Sequence, residues 1–129
     1  MPLFWADSIA LCYSDLAAAK SWWIQSFNCK ERNVPSDWDY TLPSDVALQL
    51  PGHEVPTILL SDWTEVRNAG YERANDHRIL FCQKLTKARK HLHRAGAAPG
   101  TVQQGRRTEF FEIQDTGIRN AKRTALPSN

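Results

Sequence analysis

The 129-residue chain contains no apolar run that approaches the roughly 20 residues needed to cross a bilayer. Its N-terminus, Met1 to Asp7, has neither a basic region nor a long apolar stretch, so no secretory signal is expected. Three cysteines without C-x-x-C spacing predict reduced thiols rather than a disulfide framework. These absences favour a cytoplasmic protein of one domain, since domains commonly span about 100–150 residues.

Several motifs that carry catalytic chemistry are also missing. The chain has no Gly-x-Gly-x-x-Gly, no phosphate-binding Gly-Lys-Ser/Thr and no nucleophile elbow. Cys12 and Cys82 lie in apolar runs, which predicts small buried side chains rather than activated nucleophiles. Tryptophan, in contrast, is abundant and confined to the first half of the chain. The five tryptophans are Trp5, Trp22, Trp23, Trp38 and Trp63.

Charge divides unevenly along the chain. Residues 1–75 carry ten acidic and five basic side chains, a net charge of −5. Residues 76–129 carry four acidic and eleven basic side chains, a net charge of +7. This asymmetry is compatible with head-to-tail self-association or with an anionic partner. The basic segment from Lys84 to Arg94 is compatible with nucleic-acid contact, but a solvated helix face is the simpler interpretation.

Hydrophobic periodicity predicts a strand, a helix and further strands in the first half. Residues 7–13 alternate in polarity, as a half-buried strand does. Ser14 or Asp15 can cap the following helix, and Asn28 suits its end because asparagine tolerates the left-handed conformation. The helix carries an apolar stripe spaced by three and four residues: Leu16, Ala19, Trp23 and Phe27. Further strands are expected at 29–34, 45–50 and 57–61.

The same order of elements restarts in the second half. A strand over 77–82 precedes a helix that Thr86 can cap and that Gly96 ends. Strands are then expected at 102–104, 109–114 and 120–124. Shifting the sequence by 69 residues superposes Leu16 on Leu85 and Trp23 on Leu92. This faint repeat predicts two β-α-β-β-β modules in one α+β domain.

Two stretches of this sequence resemble the vicinal-oxygen-chelate superfamily, which includes glyoxalase I, bleomycin-resistance proteins, fosfomycin-resistance transferases and extradiol dioxygenases. Residues 8–23 are similar to its opening strand, Asp-Leu turn and helix with paired aromatics. Residues 109–117 are similar to its penultimate strand and the turn after it. The resemblance implies a cupped mixed sheet of glyoxalase/bleomycin-resistance type over residues 1–129. It also implies a homodimer whose cavities are built by modules from both chains.

Within this single domain, the order of elements divides the chain into three parts. Module one is expected at about 5–63, a polar linker at about 64–75, and module two at about 76–125.

Metal-dependent members of the superfamily use four ligand positions, of which this chain matches one. The first-strand position falls on Ser8 and the fourth-strand position falls within residues 58–60, which are apolar. The fifth-strand position falls on His77, a suitable ligand. Residues 117–122, which follow the last turn, contain no acid. This comparison of ligand positions therefore predicts no metal and no other cofactor. The alternative is a divalent metal ion held partly by His77.

The cavity expected without a metal combines apolar, aromatic and acidic groups. The resemblance places Glu112 on the inward face of its strand together with Phe110. His77 is expected to be a hydrogen-bonding residue of this cavity, and a plain strand-end histidine is the alternative. The resemblance also places three aromatic residues near the ends of strands two to four, where relatives line a ligand groove: Trp38, Tyr40 and Trp63. Loop packing is the alternative for the two tryptophans, and an ion pair with an arginine is the alternative for Glu112.

These features favour a metal-free, homodimeric protein that binds and sequesters a small organic molecule, in the manner of bleomycin-resistance proteins. Flat aromatic faces stack on planar ligands and attract cations. Asp37 and Asp39 flank Trp38 and add negative potential, so a planar or cationic ligand in a dimer groove is expected. The alternative is a divalent-metal-dependent lyase, isomerase or dioxygenase of the glyoxalase superfamily. A regulatory or partner-binding module is a third hypothesis.

Overall fold

Two four-stranded sheets, each with a helix of ten or more residues, form most of the structure, a computed structural model. It describes residues 3–5, 8–71, 78–79, 81–82, 84–105, 109–114 and 123–127. The helices are α1 (Leu16–Phe27), α2 (Trp63–Asn68) and α3 (Leu85–Arg94). The strands are β1 (Phe4–Trp5), β2 (Ile9–Tyr13), β3 (Lys30–Arg32), β4 (Val46–Gln49), β5 (Ile58–Asp62), β6 (Arg78–Ile79), β7 (Phe81–Cys82), β8 (Gln103–Gln104), β9 (Glu109–Gln114) and β10 (Arg123–Pro127). None of the described helices has the length and apolar character needed to cross a membrane.

Both sheets arrange the strands of their module in the same order. The first sheet runs β2-β5-β4-β3 and the second runs β6-β10-β9-β8. In each sheet the first and last strands of the module pair in parallel, with Ile9 opposite Ile58 and Arg78 opposite Thr124. A parallel pair needs a long crossover connection, which α1 and α3 begin in their respective modules. The predicted α+β class and the mixed sheet are confirmed.

Helix α1 begins and ends at the predicted residues. Asp15 Oδ1 accepts a hydrogen bond from the backbone N–H of Ala18 at 3.1 Å. Asn28 lies at the C-cap with φ 57° and ψ 36°, in the left-handed region. The predicted apolar stripe packs into the core, where three of its residues are at most 1% exposed: Ala19, Trp23 and Phe27.

Helix α3 repeats α1 at the predicted spacing but has a different cap. It begins at Leu85 with Lys84 as N-cap and has no side-chain capping hydrogen bond, so the prediction that Thr86 caps it is wrong. Burial of Ala88 and Leu92, both 0% exposed, fixes the position of the helix instead. Gly96 follows the helix with φ 84°, as predicted for a helix end.

One hydrophobic core joins the two modules on the helix side of the sheets. Strand β1, which the sequence did not predict, pairs with β7 of module two, Phe4 lying opposite Cys82. The Phe4 ring meets the Phe27 ring edge-on at 4.9 Å and the His91 ring at 5.7 Å. His91 Nε2 lies 3.0 Å from the Ser26 carbonyl oxygen. Helices α1 and α3 therefore contact each other directly.

The face of the first sheet opposite α1 is also covered. Four residues there are at most 6% exposed although they lie outside the common core: Cys12, Ala47, Leu59 and Ser61. Helix α2 packs against β2 and β5 and contributes Val66, which is 2% exposed. The segment interpreted as a polar linker thus begins with a helix. Solvent still reaches this face at three residues that are exposed or half-buried: Ser8, Thr57 and Gln49.

Candidate functional site

Helix α2 forms because its first turn is capped by an acidic residue. The backbone N–H of Glu65 donates to Asp62 Oδ1 at 3.0 Å. Asp62-Trp-Thr-Glu65 has the spacing of a capping box, a signal that could have predicted the helix. In a capping box the Glu65 carboxylate would turn back to the cap. Here it binds a residue of a distant loop instead, which the sequence pattern does not reveal.

The β3–β4 loop (residues 33–45) is fastened to α2 by that carboxylate. Glu65 accepts two hydrogen bonds from Ser44, one from the backbone N–H at 3.2 Å and one from the hydroxyl at 2.6 Å. Asp45 Oδ2 accepts from the backbone N–H of Leu42 at 2.8 Å and closes the last turn of the loop. The C-terminal part of the loop therefore has a defined position against α2.

Tyr40 and Tyr71 form an aromatic pair at the surface. Their ring centroids are 5.5 Å apart and their planes meet at 82°, an edge-to-face geometry. Tyr40 is 71% exposed. Tyr71 is half-buried, and its backbone N–H donates to the Val66 carbonyl of α2 at 3.1 Å. Sequence reasoning found Tyr40 but missed Tyr71, since no local pattern indicates which loop residue it meets.

The backbone of Tyr40 is strained. Its φ is 59°, in the left-handed region that residues with a Cβ rarely adopt. This conformation costs about 1–2 kcal/mol for a residue other than glycine. Such outliers persist only where surrounding contacts hold them, and they cluster at ligand-binding and active sites. The strain therefore marks Tyr40 as a candidate for function.

Trp38 and Trp63 lie on the two elements that Ser44 and Glu65 join. Trp38 belongs to the β3–β4 loop, where its backbone N–H donates to the Pro35 carbonyl at 3.2 Å. Trp63 is the first residue of α2. Both side chains are half-buried, so each keeps part of its surface accessible.

The three other predicted site residues belong to module two. Phe110 is half-buried in β9, opposite Gln103 of β8, and is followed by the fully buried Phe111. Glu112 also lies in β9, opposite Ala125, but its side chain is outside the described part of the chain. His77 lies outside it altogether. The predicted convergence of Glu112 and His77 on one cavity remains a prediction.

Charge around the aromatic residues is strongly negative. The β3–β4 loop (33–45) and residues 62–71 together contain five acidic side chains and one basic side chain, a net charge of −4. Asp37 and Asp39, on either side of Trp38, are exposed. A surface with negative charge and aromatic faces attracts organic cations.

The first-module positions for a metal do not fit a divalent ion. Ser8 is an exposed hydroxyl, and Ile58, Leu59 and Leu60 form a buried apolar strand. Within the described ranges, no three His, Cys, Asp or Glu side chains come together as a metal cluster. No chemical step is therefore assigned to a metal.

All three cysteines are buried thiols, which confirms that prediction for Cys12 and Cys82. Burial raises the pKa of Cys29 to about 12 and the pKa of Cys82 to about 11. Because the thiolate is the nucleophilic form, these two residues are poor nucleophiles near neutral pH.

Comparison with known proteins gives matches in structure alone. No family model matches the sequence, and no curated protein sequence matches it. A member of the glyoxalase/bleomycin resistance protein/dioxygenase superfamily from Sphaerobacter thermophilus superposes with a TM-score of 0.69 at 12% identity, covering 97% of each chain. Lactoylglutathione lyase from Agrobacterium tumefaciens superposes with a TM-score of 0.66 at 14% identity, covering 96% of this chain and 92% of that chain. The chain has the vicinal-oxygen-chelate fold.

A third protein with the vicinal-oxygen-chelate fold is the fosfomycin resistance protein FosX from Listeria monocytogenes. It superposes with a TM-score of 0.60 at 14% identity, covering 96% of this chain and 92% of that chain. The resemblance inferred from the sequence is thus confirmed for the fold. Since a lyase and a resistance protein share this fold, function has to be argued from the site.

Proposed function

We propose that this protein binds a small planar or cationic organic molecule without a metal and without making or breaking a covalent bond. The binding region, which we call the aromatic surface, consists of Trp38, Tyr40, Trp63 and Tyr71. The observation that carries the proposal is Tyr40, an aromatic residue that is 71% exposed and held in a left-handed backbone against Tyr71. An exposed ring in a strained conformation contributes little to the core, so a ligand contact is its best explanation.

The chemistry of the aromatic surface suits a cation. A cation above a tyrosine face gains about 0.5–1 kcal/mol at an exposed site and about 2 kcal/mol when water is excluded. In an edge-to-face pair, the ring that presents its edge keeps both of its faces available for stacking. The net charge of −4 over residues 33–45 and 62–71 adds long-range attraction.

The aromatic surface is also partly organised before a ligand arrives. Two hydrogen bonds from Ser44 to Glu65 hold the β3–β4 loop on α2, and Asp62 caps α2. Ordering a loop on binding costs free energy, so a loop already held in place improves affinity.

We further propose that a second chain completes the groove. Tyr40 is largely exposed on a single chain, as expected for one wall of a cavity that a homodimer closes. We assign three residues of module two to the facing wall of this groove: Phe110, Glu112 and His77. In this form the protein would sequester its ligand, and the fosfomycin resistance protein among its structural neighbours supports a resistance-like role. Its buried thiols suit the reducing cytoplasm.

A divalent-metal-dependent lyase, isomerase or dioxygenase is the second candidate. Lactoylglutathione lyase shares the fold, and a FosX mutant with the same fold was crystallised with Mn(II). His77 would be one ligand of such a site. The remaining ligands would have to come from positions other than Ser8 and residues 58–60, which is why binding without a metal is preferred.

Tyr40→Asn is expected to weaken the binding of planar organic cations by about fivefold, the loss of roughly 1 kcal/mol of cation–π energy. Asparagine removes the ring but tolerates the left-handed backbone. Quenching of tryptophan fluorescence, titrated with a panel that includes acriflavine and ethidium, measures the affinity.

Val55→Ala is the matched control, because Val55 is 61% exposed in a different loop. Its affinity should equal that of the unmodified protein. If no compound of the panel quenches the fluorescence, or if Tyr40→Asn binds as tightly as Val55→Ala, the aromatic surface is not the ligand site.

A further inference from the structure

A basic cleft of about 350 Å³ lies at the end of β4 that is remote from the β3–β4 loop. Among the residues that the structure describes, its lining includes three basic side chains, those of Lys30, Arg32 and His53, and no carboxylate. The lining also includes Gln49, which lies opposite Lys30 in the sheet register. Charge of one sign in a concave site concentrates ions of the opposite sign.

Of the two acids that neighbour cleft residues in sequence, Glu31 is turned away from the basic cleft, and Glu54 is exposed and does not line it. Glu31, between Lys30 and Arg32, forms an ion pair with Lys20 of α1 at 3.2 Å. Successive side chains of a strand point to opposite faces, so Lys30 and Arg32 lie on the face opposite α1. Glu31 therefore does not neutralise them across the cleft.

Gln49 orients the guanidinium of Arg32. Its Oε1 accepts a hydrogen bond from Arg32 Nε at 2.7 Å, and its Nε2 donates to the His53 carbonyl oxygen. Neither Nη atom of Arg32, nor Lys30 Nζ, is hydrogen-bonded to any residue that the structure describes. These donors are available to a ligand, and Arg32 is already held in one orientation.

A tight turn places His53 beside them. The His53 backbone N–H donates to the Leu50 carbonyl at 3.2 Å, and Gly52 has φ 81°, as a type II turn requires at its third residue. His53 Nδ1 lies 3.4 Å from the Pro51 carbonyl oxygen, which leaves Nε2 for a ligand.

We propose that the basic cleft binds the phosphoryl group of a small molecule through Lys30, Arg32 and His53. The planar fork of a guanidinium matches two phosphate oxygens, and the ammonium of Lys30 adds a second fixed charge. The size of the cleft suits one phosphoryl group with a small organic part. This inference does not depend on the aromatic surface and goes beyond the function proposed for it.

Isothermal titration calorimetry of the full chain with phenyl phosphate and with inorganic phosphate tests the inference. Arg32→Gln is expected to weaken phosphate binding by about tenfold, because it removes a charge-assisted, two-pronged contact. Lys30→Gln should weaken it by about fivefold. Both side chains are exposed, so the midpoint of thermal unfolding should stay close to that of the unmodified protein.

Lys87→Gln is the matched control. Lys87 is exposed on α3 and belongs to a different cleft with Lys84 and Lys90, so the variant loses the same charge elsewhere. It should change the affinity by less than about twofold, since exposed distant charges are screened. Tyr40→Asn should leave phosphate binding unchanged, which separates this inference from the proposed function.

Two results support the inference and identify the source of the phosphoryl group. Tighter binding of phenyl phosphate assigns the cleft to a phosphate ester, and equal affinity assigns it to free phosphate. Two results overturn it: neither small phosphate binds, whether or not a short DNA duplex does, or Lys87→Gln and Arg32→Gln lose affinity equally.

Discussion

Trp23→Ala is expected to lower the free energy of unfolding by about 4 kcal/mol, the middle of the range for buried aromatic residues. The Trp23 side chain is 0% exposed. Its ring stacks on Phe27 with centroids 4.9 Å apart and meets Trp22 edge-on at 5.4 Å. Its indole N–H donates to the Tyr13 hydroxyl at 2.9 Å. The substitution therefore creates a cavity in the core that both modules share and removes a buried hydrogen bond.

Urea denaturation followed by far-UV circular dichroism measures this loss. Trp38→Ala is the matched control, because it removes a side chain of equal size that is half-buried in a loop. It should cost about 1 kcal/mol or less. Similar losses for Trp23→Ala and Trp38→Ala would contradict the placement of α1 at the centre of the common core.

Alkaline pH is expected to destabilise the fold through Cys29. Burial raises the pKa of its thiol from 9.0 to about 12. Between these values the unfolded chain releases the thiol proton while the folded chain keeps it. The unfolded state then binds fewer protons, so stability falls as pH rises. This effect amounts to about 2 kcal/mol between pH 9 and pH 11 for Cys29.

Urea denaturation of the unmodified protein and of Cys29→Ala at several alkaline pH values isolates this effect from other titrating groups. Cys29→Ala should lose less stability with rising pH, whatever its stability at pH 7. Cys82→Ala is a useful comparison, because burial raises the pKa of Cys82 only to about 11 and this variant retains Cys29. Identical pH dependence in the unmodified protein and in Cys29→Ala would show that Cys29 ionises freely in the folded state.

Local sequence patterns predicted the two long helices and the repeat that relates them. Helices α1 and α3 begin at Leu16 and Leu85, which are 69 residues apart, as the superposition of the two halves requires. Their apolar stripes are visible in the sequence because burial on one helix face repeats every three or four residues. The capping residues Asp15 and Asn28 were also predictable, because helix capping depends on neighbours in the chain.

Long-range contacts explain what the sequence patterns did not reveal. Strand β1 exists because it pairs with β7, and the pairing partner lies 78 residues from Phe4. Thr86 failed as a cap because packing, rather than a hydrogen bond, sets the start of α3. The capping signal of α2 was present in the residues after Asp62 but was outweighed by the polar character of the segment.

The candidate site was predictable in its residue types and less so in its geometry. Aromatic residues in the β3–β4 loop pointed to Trp38 and Tyr40, and acidic neighbours pointed to a cationic ligand. The pairing of Tyr40 with Tyr71 and the contact between Ser44 and Glu65 join segments about 20–30 residues apart in sequence. No periodic pattern encodes such contacts, because they depend on how the loop folds back on α2.

Ligand binding without a metal is tested most directly by measuring metal content and affinity on the same sample. Protein purified without chelator is analysed by inductively coupled plasma mass spectrometry and titrated with the panel of planar cations before and after treatment with EDTA. We predict substoichiometric metal and an affinity that EDTA does not change. Stoichiometric Ni, Zn, Mn or Fe that is lost in His77→Ala would contradict the proposal and establish the metal-dependent alternative.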